Sequence, residues 1–137
     1  MDNNSILPGF DDVQDGHISI KLEKVQEMPE FLIIHLSGHI DHGNHKFVHD
    51  RITRIIDAGF IWLIIDCKNC EAFSDTAVGP FTYFLKAVHE KKGALSLVAV
   101  QPSLYQLLEL TALTKYFNCR NNLSEAIEFL KYRKSKG

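Results

Sequence analysis

Phe60-Ile61-Trp62-Leu63-Ile64-Ile65-Asp66-Cys67-Lys68-Asn69-Cys70-Glu71-Ala72-Phe73-Ser74-Asp75-Thr76-Ala77-Val78-Gly79 is the stretch on which the fold turns. The apolar run Phe60 to Ile65 reads as a buried strand. A helical pattern containing Phe81, Phe84, Leu85 and Val88 follows it. Between them lies a polar loop, with Ser74, Asp75 and Thr76 at the helix entrance. The first N–H groups of a helix lack intrahelical partners, and the dipole there is positive. Such an entrance suits an anion, a carboxylate or a phosphorylated hydroxyl.

Upstream, Ile18, Ile20 and Leu22 alternate with Ser19, Lys21 and Glu23. That is the pattern of a strand with one wet face. Met28-Pro29-Glu30 is expected to turn the chain. Phe31 to Leu36 is nearly all apolar and reads as a more central strand, antiparallel to the first because the connection is short. Gly38-His39-Ile40-Asp41 ends it, with Asp41 as the expected N-cap of a helix running to about Asp57. Val48, Ile52, Ile55 and Ile56 share one face of that helix, and Gly59 stops it. Downstream of the third strand, residues 79–91 form a second helix closed by Gly93. Leu95 to Val100 is a fourth strand. Pro102-Ser103 opens a third helix with Leu104, Leu107 and Leu108 inward. Tyr116-Phe117 is expected as a short fifth strand, and Ser124 to Tyr132 as a last helix capped by Asn122. The order β-β-α-β-α-β-α-β-α defines a single α/β domain with a mixed sheet. The sheet has about four to five strands, largely parallel, with about four helices.

The bulk numbers agree. A chain of 137 residues, 45% apolar and 23% charged, can build one domain with a core. A net charge of −2 gives no global field that favours nucleic acid or an anionic membrane. The charge is polarised at the ends. Residues 1–16 carry Asp2, Asp11, Asp12 and Asp15 and no Lys or Arg, and read as a flexible acidic segment. The domain proper spans 17–131, and 132–137 is expected to be a basic tail. No apolar run approaches the roughly 18 residues of a membrane span, so direct membrane insertion is not expected. No secretory leader is expected either, since residues 1–16 are polar and acidic. Three cysteines, an odd number, fit a cytoplasmic protein better than a disulfide framework.

Other constellations offer little chemistry. His39, His42, His45 and His49 crowd the first helix entrance. On a helix begun at Asp41, the last three would fall within about 60° of one another, at roughly 100° per residue. Histidines four apart on one face suit a metal, but His45-Lys46-Phe47-Val48-His49 lacks the Glu of a zinc hydrolase helix. A solvated flank or part of a partner surface is the default reading, with no metal or cofactor expected. Cys67-Lys68-Asn69-Cys70 has redox spacing, yet Glu71-Ala72-Phe73 separate it from the helix N-terminus that would activate a thiol. Packing at the strand end is the preferred reading. Gly-x-Ser-x-Gly and a phosphate-binding Walker loop are both absent from the sequence, which leaves only acid and base groups brought together from separate segments.

Several segments together resemble the STAS domain, the family of bacterial anti-sigma factor antagonists and of the cytoplasmic tails of sulfate transporters. Gly38-His39-Ile40-Asp41 is similar to the family's Gly, polar, apolar, Asp after its second strand. Asp66-Cys67-Lys68-Asn69-Cys70 and then Ser74-Asp75-Thr76-Ala77-Val78-Gly79 stand where the family has Asp-Leu-Ser-Gly-Val and later Asp-Ser-x-Gly-x-Gly. Leu108-Glu109-Leu110-Thr111-Ala112-Leu113 looks like the family's Leu-Glu-Leu-Thr-Gly-Leu, and Ser124-Glu125-Ala126 is also family-like. The resemblance covers roughly residues 17–131, by the order and spacing of motifs. The departures are specific. Asp75 occupies the place of the switch serine and is preceded by Ser74, and Ala77 replaces a glycine while Gly79 is retained. Pro80 argues for a helix start near Gly79, with Ser74–Val78 as an exposed loop.

The resemblance implies a non-catalytic protein that binds an anti-sigma factor which is also a serine kinase. In the family, phosphorylation of the antagonist releases that partner. Phosphoserine brings about −1.5 to −2 charge and three acceptor oxygens. Asp75 would be a permanent, weaker imitation of that state, or Thr76 and Ser74 would be the phosphoacceptors. Asp75 also suits a helix cap, and capping and contact are compatible. The implied docking surface joins Gly38–Asn44, with Asp41, His42 and Asn44, to Ser74–Gly79. Alternatives are an accessory subunit of a stress-signalling or lipid-transport complex and a histidine-based metal protein. Self-association as a homodimer stays open.

Overall fold

The computed structural model describes residues 13–15, 17–73, 78–110 and 114–136. Its elements are β1 (Val13–Asp15), β2 (Ile18–Val25), β3 (Met28–Ile40), α1 (His45–Asp57), β4 (Trp62–Phe73), α2 (Val78–Glu90), β5 (Ala94–Val98), α3 (Pro102–Glu109), α4 (Thr114–Phe117) and α5 (Leu123–Lys136). One five-stranded sheet runs β1-β2-β3-β4-β5. β1, β2 and β3 pair antiparallel, whereas β3, β4 and β5 pair parallel. The expected mixed α/β sheet is therefore present.

Alternation along the central strands sorts the core into two layers, because successive side chains of a strand point to opposite faces. Leu32, Ile34, Leu36, Leu63, Ile65, Leu95 and Leu97 point one way. They pack against Val48, Ile52 and Ile55 of α1 and Phe81, Phe84 and Val88 of α2. Phe31, Ile33, Ile64 and Val98 point the other way and meet Ala126 and Leu130 of α5. Each such side chain contributes roughly 1.5–3 kcal/mol on burial. In α3, Leu104 and Leu108 are buried as expected, while Leu107 is only half-buried. Gly59, at φ 106°, closes α1 in the left-handed conformation that costs glycine no Cβ clash.

Five details differ from the sequence expectations. Val13–Asp15, inside the segment expected to be flexible, forms a short edge strand on β2. The hairpin turn falls at Gln26-Glu27, not Met28-Pro29-Glu30. Pro29 lies in the opening residues of β3, before pairing with β4 begins at Phe31, so its missing N–H costs no parallel ladder bond. β4 runs on to Phe73, through the Cys-x-x-Cys. Tyr116-Phe117 is helical, and strand-like pairing shifts to a single parallel bridge between Val98 and Arg120. Asn118 explains the shift. Its amide donates to the Leu95 carbonyl at 3.2 Å and its own carbonyl accepts from the Ser96 hydroxyl at 2.7 Å, which turns the chain beside β5. Finally, the basic end is no tail but the last turns of α5. Asn122 caps that helix through Glu125 N–H at 2.9 Å, as expected. Arg133, Lys134 and Lys136 sit where the dipole favours cations.

Candidate functional site

The loop after β3 is built around a glycine and two short polar side chains. Gly38 has φ 112°, and a Cβ there would run into the backbone carbonyl of His17. That close approach lets His39 N–H donate to the same carbonyl at 2.9 Å, and the His39 ring stacks on His17 at 4.5 Å. The Asp41 carboxylate then accepts from Gly43 N–H at 2.8 Å and Asn44 N–H at 3.1 Å, forming an Asx turn. Asn44, only 4% exposed, accepts from Asp41 N–H at 2.9 Å and donates to the His39 carbonyl at 3.0 Å. Asn44, not Asp41, occupies the cap position of α1. Its side chain is turned back into the loop, which is why it makes no cap bond of its own. Asp41 serves the helix through its carbonyl, which accepts from His45 N–H at 3.0 Å.

This loop faces the start of α2. His42, Gly43, His45, Lys46, His49, Gly79 and Pro80 line an open cleft of 540 Å³. Gly79 and Pro80 lie within the first turn of α2, where a proline is tolerated because its N–H would have no partner. The helix begins one residue before Gly79. His42 belongs to the turn and not to α1, so the expected three-histidine helical face reduces to His45 and His49. His45 meets the His42 carbonyl at 3.2 Å. His49 packs its ring against Tyr83 at 4.8 Å and Phe84 at 5.9 Å, which clamps α1 to α2. The Lys46 ammonium, 2.9 Å away, and then the His49 ring hold the exposed Asp50 carboxyl below its usual range. Among the described residues, no group of three His, Cys, Asp or Glu side chains converges to hold a metal ion.

Of the residues expected at the site, His42 and Gly79 line the cleft, while Asp41 and Asn44 hold the loop that carries His42. Ser74, Asp75 and Thr76 lie outside the described residues, between Phe73 and Val78. The described residues of the cleft lining offer imidazoles and one ammonium group. Its cationic side chain and two helix entrances suit a negatively charged surface or group.

Two other groups lie apart from the cleft. β4 carries an extra residue at each of two register shifts opposite β3, so the alternation is offset and both Cys67 and Cys70 point into the core. Burial raises the Cys67 thiol well above its ordinary pKa and pushes Cys70 up to about 12. These are packing thiols, far from the activated type. On the α5 face, His35 places one ring nitrogen 2.8 Å from Asp66 and the other 2.8 Å from Glu23. Asp66 also accepts from Lys68 N–H at 3.0 Å, which fixes the first register shift. The sequence analysis did not single out His35. Its only signal is a polar residue interrupting an apolar strand.

A family model described as the STAS domain matches residues 20–126. Solved structures agree with it. An anti-sigma factor antagonist from Mycobacterium paratuberculosis is 19% identical, with a TM-score of 0.74 over 86% of this chain and 97% of that one. The Bacillus cell fate determinant SpoIIAA in its phosphorylated form is 20% identical, with a TM-score of 0.64 over 80% and 96%. A protein from Planctomyces limnophilus described as an anti-sigma-factor antagonist (STAS) domain protein is 14% identical, with a TM-score of 0.65 over 81% and 96%. At these identities the likeness is one of fold. No helix among the described residues is long and apolar enough to cross a membrane.

Proposed function

This chain belongs to the STAS domain family, and from that premise we propose that it is a non-catalytic regulator acting in the cytoplasm. Its partner is an anti-sigma factor of the serine-kinase type. The docking surface is the cleft between the Gly38–Asn44 loop and the start of α2, extended by the Ser74–Ala77 segment. One observation carries this reading most. Residues 30 or more positions apart, His42 and Lys46 on one side and Gly79 and Pro80 on the other, share one open cleft. A pre-formed surface of this kind suits binding better than bond cleavage.

Asp75 is the switch position. In the proposed mechanism its single negative charge stands for a phosphoserine and holds the domain toward the released state. Ser74 and Thr76 are the two hydroxyls through which a kinase would add to that charge. Added phosphate at a helix entrance inside a docking surface works by repulsion and by the cost of desolvating it.

Asp75→Ser tests the switch. Partner affinity should rise at least threefold in calorimetry, and the variant should take up phosphate from ATP when mixed with the kinase. Equal affinity for wild type and variant, with no phosphate transfer, contradicts the role given to Asp75. A domain that instead co-purifies with subunits of a membrane transport complex belongs to the accessory class, and the anti-sigma reading falls.

A further inference from the structure

At the end of the sheet where β4 and β5 begin and α2 and α5 finish, a second cavity opens, remote from the docking cleft. It measures 410 Å³, within the roughly 300–1,000 Å³ of small-molecule sites. Leu85, Ala94 and Tyr116 give it an apolar lining, with the fully buried Val88 and Leu95 beneath. Lys86, His89 and Arg133 stand at its margin. Through His89, Gly93 and Arg133 it continues into a 670 Å³ cleft bearing Trp62, Lys92, Lys134 and Lys136, with Glu90 the one acid among the described residues of that lining.

Among the described residues, carboxylate partners for these cations are few. Lys134 pairs with Glu30 at 3.5 Å and lies over the Trp62 ring at 5.4 Å. Among the described residues no ion pair engages Lys86, Lys92, Arg133 or Lys136. Basic residues at the ends of two helices are favoured by the helix dipoles, which accounts for some of this charge. It covers Lys92 too, just past the last turn of α2. That residue is the left-handed C-cap of α2, with φ 68°. Its N–H donates to the His89 carbonyl at 2.9 Å, and Gly93 N–H donates to the Val88 carbonyl at 2.8 Å. Glycine is the residue this conformation favours, and a lysine there is strained.

We propose that this groove binds a single-chain amphipathic anion. The apolar chain enters the cavity between Leu85, Ala94 and Tyr116, and the carboxylate or phosphate head meets Lys92, Arg133 and Lys136. The charge complementarity selects the head, and the apolar lining selects a ligand that has a chain attached to it. This site stands independently of the partner reading, because its test needs no second protein.

Trp62 is the only tryptophan of the chain, and it lies in the groove. Its fluorescence therefore reports occupancy directly. The full chain is titrated with dodecyl phosphate below its micelle concentration, by fluorescence and by calorimetry. Inorganic phosphate and dodecyl maltoside are the head-only and chain-only controls. The expected result is saturable one-to-one binding of dodecyl phosphate, at least tenfold tighter than either control. Lys92→Gly should weaken it at least fivefold while raising Tm, and Arg133→Ala should weaken it to a similar degree. Inorganic phosphate binding as tightly as dodecyl phosphate overturns the proposal and leaves a plain anion site. Dodecyl maltoside binding as tightly also overturns it, by leaving a non-specific apolar surface. Unchanged affinity in both folded variants, or no saturable binding of dodecyl phosphate, overturns it as well.

Discussion

Asn44 shows how a single side chain sets the docking surface. Buried, it satisfies one donor and one acceptor of the loop, Asp41 N–H and the His39 carbonyl. Asn44→Ala leaves both without a partner, and the expected loss is about 1–3 kcal/mol in urea unfolding. A change below about 0.5 kcal/mol would mean that water replaces the amide without cost. Gly38 is the second determinant. Gly38→Ala forces a Cβ into the His17 carbonyl at a φ disfavoured for alanine, so destabilisation above about 2 kcal/mol is expected in the same assay. The sequence marked this loop as polar and glycine-led, and so located the turn that enters α1. It did not distinguish Asp41 from Asn44 as the cap, because both residue types cap helices well. That choice follows from the approach of Gly38 to His17, a contact made across the sheet.

At the scale of elements, β4 is the strand whose length and register the sequence concealed. Its apolar core was legible as a six-residue run. The continuation to Phe73 depends on pairing with the long β3, and the two extra residues in β4 have no local signature. They turn Cys67 and Cys70 inward together, so native-state labelling at pH 8 should spare both and proceed only on unfolding. Fast labelling of either thiol would contradict the burial. The same thiols bear on alkaline stability. Their folded pKa values lie above the unfolded value near 9.0, so the native state holds more protons above that pH. Stability then falls as pH rises from about 9 toward 12, and the fall should be smaller in Cys70→Ala. α5 was legible by its cap and its apolar spacing, yet its basic end read as a tail because last-turn cations and solvated tails look alike in sequence. Leu130, fully buried beneath the sheet, anchors it. Leu130→Ala should cost about 2–5 kcal/mol. β1 and the helical turn at Tyr116 were missed for the same reason: three- and four-residue elements carry too few side chains for a period to show.

The whole molecule is a sheet with two working ends. One end gathers the β3–α1 and β4–α2 junctions into the docking cleft, and the other gathers the ends of α2 and α5 into the cationic groove. The layer order and the first of these ends were readable from strand periodicity and motif spacing. The groove was not, since Lys92, Arg133 and Trp62 come from three separate elements that meet only in the folded chain. The central claim is that the docking cleft captures an anti-sigma factor of the kinase type. It is tested most directly by quantitative affinity capture from the native organism, comparing wild type with the double variant His42→Glu/Lys46→Glu. Both positions are exposed, and the Lys46–Asp50 pair contributes little to stability on its own, so the variant should remain folded by circular dichroism. Wild type should enrich an anti-sigma kinase, and the folded variant should retain at most a tenth of it. Equal recovery of the kinase by both proteins, or no kinase in either, would contradict the account.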